Sequence, residues 1–189
     1  TGNGSSPLYL ARRGDGQFLQ GVLDEVRLYD YALSGNEIVE LAGQVPLVAG
    51  WNLVSLPARP DNPALPAVLN AIAGLYTTVQ VYDCSGDTWR SYPDGGLTAL
   101  IEGQGFWLYM TQPSNLSVVG QKPTSGSVVL CAGWNLIGYA GSQPQLLEVA
   151  LASIAGKYSR VTSYDAARDV WEEYQGGGPE YANTLRELK

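Results

Sequence analysis

"VPLVAGWNLVSLP" at residues 45–57 returns as "VVLCAGWNLIGYA" at 128–140, an offset of 83 residues. The likeness continues beyond it. "LPAVLNAIAGLYTTVQVYD" (65–83) matches "LEVALASIAGKYSRVTSYD" (147–165), and "YDCSGDTWRSY" (82–92) matches "YDAARDVWEEY" (164–174). Trp51 falls on Trp134, Trp89 on Trp171 and Tyr92 on Tyr174, so four of the five tryptophans are repeat-equivalent. Order, spacing and residue type agree, which marks an internal duplication.

Each copy reads as a β-rich unit. The apolar run around Gly-Trp-Asn predicts two strand segments joined by a bend or bulge. A Pro-rich loop follows, then a short helix whose apolar positions Leu65, Val68, Leu69 and Ile72 keep the i, i+3, i+4, i+7 spacing. Leu147, Ala150, Leu151 and Ile154 repeat that face. Gly74 and Gly156 stand where a left-handed residue ends a helix. "TTVQVYD" and "TWRSY" then predict a hairpin across "CSGD", and "RVTSYD" and "VWEEY" one across "AARD". In the first copy only, "GQGFWLYM" (103–110) and "NLSVVG" (115–120) add two more strands. The second copy stops at "NTLRELK", before an equivalent of the GQGFWLYM strand. That leaves an open sheet edge, which proteins normally avoid. The expectation is that the missing strands were trimmed, come from another chain, or lie further along a longer protein. The fold class expected is mainly β with short helices: residues 1–44, then one module over 45–124 and a second, C-terminally truncated, over 125–189.

Residues 16–43 have a different character. "SGNE" (34–37) is a capping box, with Ser34 as N-cap and Glu37 three positions on. "GVLDEVRLYDYALSGNEI" resembles the closing strand and short helix of concanavalin-like or laminin-G-like jelly rolls. The resemblance implies only the tail of such a domain, since residues 1–44 cannot supply a whole jelly roll. No ligand-binding residue is carried over from it. Asp24, Glu25 and Arg27 read as a solvated strand face with an ion pair. The pattern "GWNLVSLP…YD…W…Y…GQGFWLYM" resembles repeat modules of large bacterial and archaeal cell-surface or secreted proteins. That resemblance implies location and architecture rather than an activity. The Tyr-Asp…Trp hairpin is also similar to a kelch blade, but the long period and internal helix argue against a propeller.

Composition narrows the chemistry. The net charge is −7, and no basic cluster is present to neutralise phosphates, which argues against nucleic acid. There is no histidine, which removes the commonest general base and zinc ligand. No apolar run reaches membrane-spanning length. The opening "TGNGSSP" reads as a processed protein or an excerpt from a longer one. Cys84 and Cys131 form either one disulfide in an oxidising compartment or two free thiols.

Asp83, Asp87, Asp165 and Asp169 recur at matching positions and could suggest a glycosidase pair. Their places beside hairpin turns favour capping of backbone N–H groups instead. The same "DCSGD" and "DAARD" segments leave Ca²⁺ as the one cation this composition keeps open, without the ligand density of an EF-hand. "EGQGF" and "QGGGPE" lack P-loop spacing. Asn52 and Asn135 read as bend residues bonding nearby backbone. The tryptophans are expected to pack inside, the alternative being that Trp89, Trp107 and Trp171 form an exposed platform for sugar rings. Catalytic, cofactor and metal sites are expected to be absent. The function expected is a non-enzymatic extracellular structural or adhesive module of a larger surface protein, partnered by its own copies or neighbouring domains and assembling head-to-tail through strand sharing. The alternative is a carbohydrate-binding module acting on polysaccharide.

Overall fold

The computed structural model describes residues 31–32, 44–121, 128–139 and 144–188. The chain divides into two compact units, Thr1–Ser34 and Gly35–Lys189, and the second holds both repeats. The capping box at 34–37 and the jelly-roll-like strand before it lie outside the described residues, as do Asp24, Glu25 and Arg27.

The described chain is mainly β with short helices. In the first repeat, β1 (Gln44–Leu47) and β2 (Gly50–Ser55) flank the Gly-Trp-Asn bend. β3 (Arg59–Pro60) precedes the helical turn α1 (Leu65–Val68), which tightens into a 3-10 turn over Asn70–Ile72. β4 (Tyr76–Asp83) and β5 (Thr88–Tyr92) form the hairpin expected, and β6 (Gly105–Met110) and β7 (Ser114–Ser117) follow. β8 (Gly120–Gln121) pairs with β3. The main antiparallel sheet runs β2-β6-β4-β5, so the late strand β6 occupies its centre, and β1 pairs with β7.

Strand alternation decides what is inside. Val79 and Val81 of β4 and Phe106, Leu108 and Met110 of β6 point to one face, which the helical turn covers with Leu65, Val68, Leu69 and Ile72. All of these are buried. The i, i+3, i+4, i+7 face is real, although the helix is an α-turn followed by a 3-10 turn rather than one continuous rod. Gly74 and Gly156 both take positive φ, at 78° and 73°, where the chain leaves the helical turn for the strand.

The second repeat builds fewer elements. β9 (Gln145–Leu146) leads into α2 (Leu147–Ala150) and a 3-10 turn, then β10 (Arg160–Asp165) and β11 (Val170–Gln175) pair as the second expected hairpin. β12 (Glu187–Leu188) closes back on β9. The second Gly-Trp-Asn segment does not form the strand pair expected of it; only an isolated bridge joins Ile137 to Gln104 of the first repeat. The reason is a missing partner. In the first repeat β2 and β4 are both held by β6, and among the described residues no equivalent of β6 accompanies β10. The helical face is correspondingly thinner. Leu147 is buried, but Ala150, Leu151 and Ile154 are only partly covered.

Both bends are nevertheless built alike. The Asn52 side-chain amide donates to the carbonyls of Val48 and Gly50, at 2.9 and 3.0 Å, and its Oδ1 accepts the Val48 N–H at 3.0 Å. Asn135 repeats this with Cys131 and Gly133, at 3.0, 3.0 and 2.8 Å. Gly50 and Gly133 supply the left-handed backbone that the bend requires.

The repeats touch along a seam. Gly138 N–H donates to Gly103 O at 2.9 Å, and a Cβ on Gly138 would lie 2.4 Å from Cβ of Ser55, its equivalent in the first repeat. Cys84, in the β4–β5 turn, is bonded to Cys131, with Cα atoms 5.9 Å apart. Of the two alternatives the cysteines left open, the structure holds the disulfide.

Candidate functional site

The tryptophans do not form the interior. Trp51, Trp89, Trp134 and Trp171 are 39%, 53%, 60% and 58% exposed, which corrects the expectation of indole core packing. The cause is register. Aliphatic side chains and Phe106 fill the alternate positions that face the helical turn, so the indoles occupy the outward ones. Cross-strand pairs share a face. Trp51 on β2 lies opposite Tyr109 on β6, Trp107 opposite Gln80 on β4, and Tyr82 opposite Trp89 on β5. The outer face of the main sheet is therefore an aromatic surface.

The second hairpin presents its own copy of the same surface to it. Tyr164 and Trp171 are register partners on β10 and β11, just as Tyr82 and Trp89 are in the first repeat. Their ring centroids lie 5.3 Å apart in both hairpins. Trp107 meets Tyr164 at 5.4 Å, Trp171 at 5.7 Å and Trp51 at 6.0 Å. Between sheet and hairpin runs a groove of about 370 Å³ lined by Trp51, Gln80, Trp89, Trp107, Tyr164, Asp169 and Trp171. An adjoining cleft of about 390 Å³ shares Trp51, Tyr164 and Asp169 and continues past Tyr109 and Gly50. Trp134 is exposed elsewhere and lines neither.

The polar groups have defined work. Asp87 and Asp169 hold left-handed turn positions, φ 48° and 54°, and accept the hydroxyls of Tyr82 and Tyr164, each at 2.5 Å. The carboxylate beside each phenol pushes its pKa above the ordinary value, so both hydroxyls stay protonated donors. Asp83 accepts Ser85 and Arg90, and hydrogen bonding, chiefly from Ser85, holds it below the usual carboxylate range. Asp165 is lowered chiefly by the Arg168 guanidinium at 2.7 Å, and Arg168 also pairs with Glu172. These four aspartates are thus engaged inside their own hairpins, as turn residues are. Among the described residues, no group of three or more His, Cys, Asp or Glu side chains could hold a metal ion.

The structure brings together the three residues singled out for sugar stacking, Trp89, Trp107 and Trp171, in one groove. It does not make them a flat platform. Trp51 and Trp107 are inclined at 87°, Trp107 and Trp171 at 61°, and Tyr164 and Trp171 at 49°. Sequence reasoning left Trp51 in the core and gave no part to Gln80 or Tyr164, and it weighed Asp169 as a glycosidase carboxylate or Ca²⁺ ligand before favouring a turn residue. The duplicated Tyr–Trp pair was the available signal, since two copies of one exposed surface can face each other. Comparison with protein-family models, curated proteins and solved structures found no match.

Proposed function

We propose that this chain is a non-enzymatic extracellular module of a larger surface protein, and that it adheres through the aromatic groove between its repeats. The observation that carries the reading is the groove itself. Three of its four indoles, Trp51, Trp89 and Trp171, stay exposed, where burial would ordinarily reward moving them inside. Aromatic side chains offer large, stiff contact area at low entropic cost, which suits recognition. The Cys84–Cys131 bond is compatible with an oxidising compartment. Among the described residues no helix is long and apolar enough to cross a membrane. The test is retention on cell envelopes and insoluble polysaccharides. The wild-type chain is expected to be retained, and a Trp107→Ala/Trp171→Ala double variant with an unchanged circular dichroism spectrum is expected to wash through. Equal retention of both would refute the role of the groove.

A second reading, assembly by strand sharing, is favoured by one observation. Leu69, Ile72 and Val79 are wholly buried in the core to which β6 contributes Phe106, Leu108 and Met110, whereas their equivalents Leu151, Ile154 and Val161 are only partly covered. A strand donated from a neighbouring chain would cover them by β-augmentation. Light scattering on the purified chain checks this: polymers growing with concentration support it, and a monomer at all concentrations removes it.

A further inference from the structure

We propose that the groove binds an alkylated ammonium group, such as the trimethylammonium head of a surface polymer or lipid. This rests on reading the groove as the recognition face, and it names what that face selects. Three features point the same way. The first is ring orientation. A pyranose stacks on one face or on parallel faces, but here Trp51, Trp107 and Trp171 meet at steep angles, 87° and 61°. Inclined rings present their electron-rich faces to a common volume from different directions, which suits a roughly spherical cation.

The second feature is charge. The groove contains the Asp169 carboxylate and no Lys or Arg, and the whole chain carries −7. In the hairpins, Arg90 and Arg168 are paired with Asp83, Asp165 and Glu172. The Tyr164 hydroxyl donates to Oδ1 of Asp169, which fixes the carboxylate beside the aromatic walls.

The third feature is the scarcity of hydrogen-bond acceptors. The four indoles offer only N–H donors, which leaves Gln80, Asp169 and the Tyr164 hydroxyl as the lining side chains that can accept. A primary ammonium or a sugar hydroxyl network needs several directional partners to offset its desolvation. An alkylated ammonium spreads its charge over methyl groups and needs none, so contact with ring faces and one nearby carboxylate suffices.

The experiment titrates the 189-residue chain with choline, with its uncharged isostere 3,3-dimethylbutan-1-ol, and with a neutral hexasaccharide, following tryptophan fluorescence and calorimetry. Choline is expected to bind at least about tenfold more tightly than the alcohol, a ratio typical of a partly desolvated cation–π site. Trp171→Ala is expected to abolish binding. Asp169→Asn, which keeps an acceptor for Tyr164 and tolerates the left-handed turn, is expected to weaken choline about three- to tenfold and leave the alcohol unchanged. Equal affinity for choline and the alcohol, or binding of the hexasaccharide alone, overturns the cation inference and leaves the groove as a recognition face. Silence toward all three ligands, together with tryptophan-independent envelope retention, overturns both. The choline–alcohol comparison needs only the wild-type chain, so it decides the matter even where a variant misfolds.

Discussion

Asn52 shows what a single side chain contributes to the Gly-Trp-Asn bend. Its amide bonds three backbone groups of the bend, and the residue is 1% exposed. Removing it leaves buried polar groups without partners, which costs more than the bonds themselves return. Asn52→Ala is expected to lower stability by about 2–3 kcal/mol in urea unfolding. Asn135 makes the same three bonds in a more open site, so water replaces part of them and the expected loss is about half as large. Arg168 is a contrasting case at the surface. Its contact keeps Asp165 ionised below the ordinary carboxylate pKa. A depressed carboxylate stabilises the fold above its unfolded pKa of about 3.9, and that contribution disappears as pH falls through the folded value. The gap in Tm between wild type and Arg168→Ala is therefore expected to be widest near neutrality and to close below about pH 4. At this exposed site solvent screens the pair, so the gap is expected to be small.

At the scale of elements, the two helical turns have similar sequences but different cover. Ile72 is wholly buried in the first repeat's core, and Ile154 is partly open. Ile72→Ala is expected to cost about 3 kcal/mol and Ile154→Ala about 1 kcal/mol by chemical unfolding, because a partly covered site leaves a smaller cavity. Equal costs would mean that the two copies are equally well packed. The same contrast explains what could be read from sequence. The hairpins, the apolar helical face, the positive-φ glycines and the Asn bends are local, and spacing reveals local structure. The second Gly-Trp-Asn segment was misread because strand character there depends on a partner far along the chain. The tryptophans were misplaced for a related reason. Alternation separates two faces of a strand but does not say which faces the helix when both carry large apolar groups. The groove was illegible because it arises from docking one repeat on the other, which no spacing encodes.

For the whole molecule, the decisive feature is the link between the repeats. The Cys84–Cys131 bond closes a loop over a sequence separation of 47. Chain-entropy reasoning gives it roughly 4 kcal/mol against the unfolded state. A Cys84→Ser/Cys131→Ser double variant is expected to lose about 2–4 kcal/mol of stability. Because floor and wall of the groove come from different repeats, reduction is also expected to raise the mobility of Trp171 against Trp107, which fluorescence anisotropy would register. Unchanged anisotropy would mean that the seam at Gly103 and Gly138 holds the repeats by itself.

The same covalent link matters when the chain is pulled. A sulfur bridge from residue 84 to residue 131 short-circuits the strands β5 to β8, so tension passing along the backbone bypasses them. Those residues would otherwise add on the order of 160 Å of extension. In a force–extension trace, oxidised protein should fall short of reduced protein by about that length. A chain linked this way stays short under load, and the central strand β6, which bears Trp107, is kept out of the line of force.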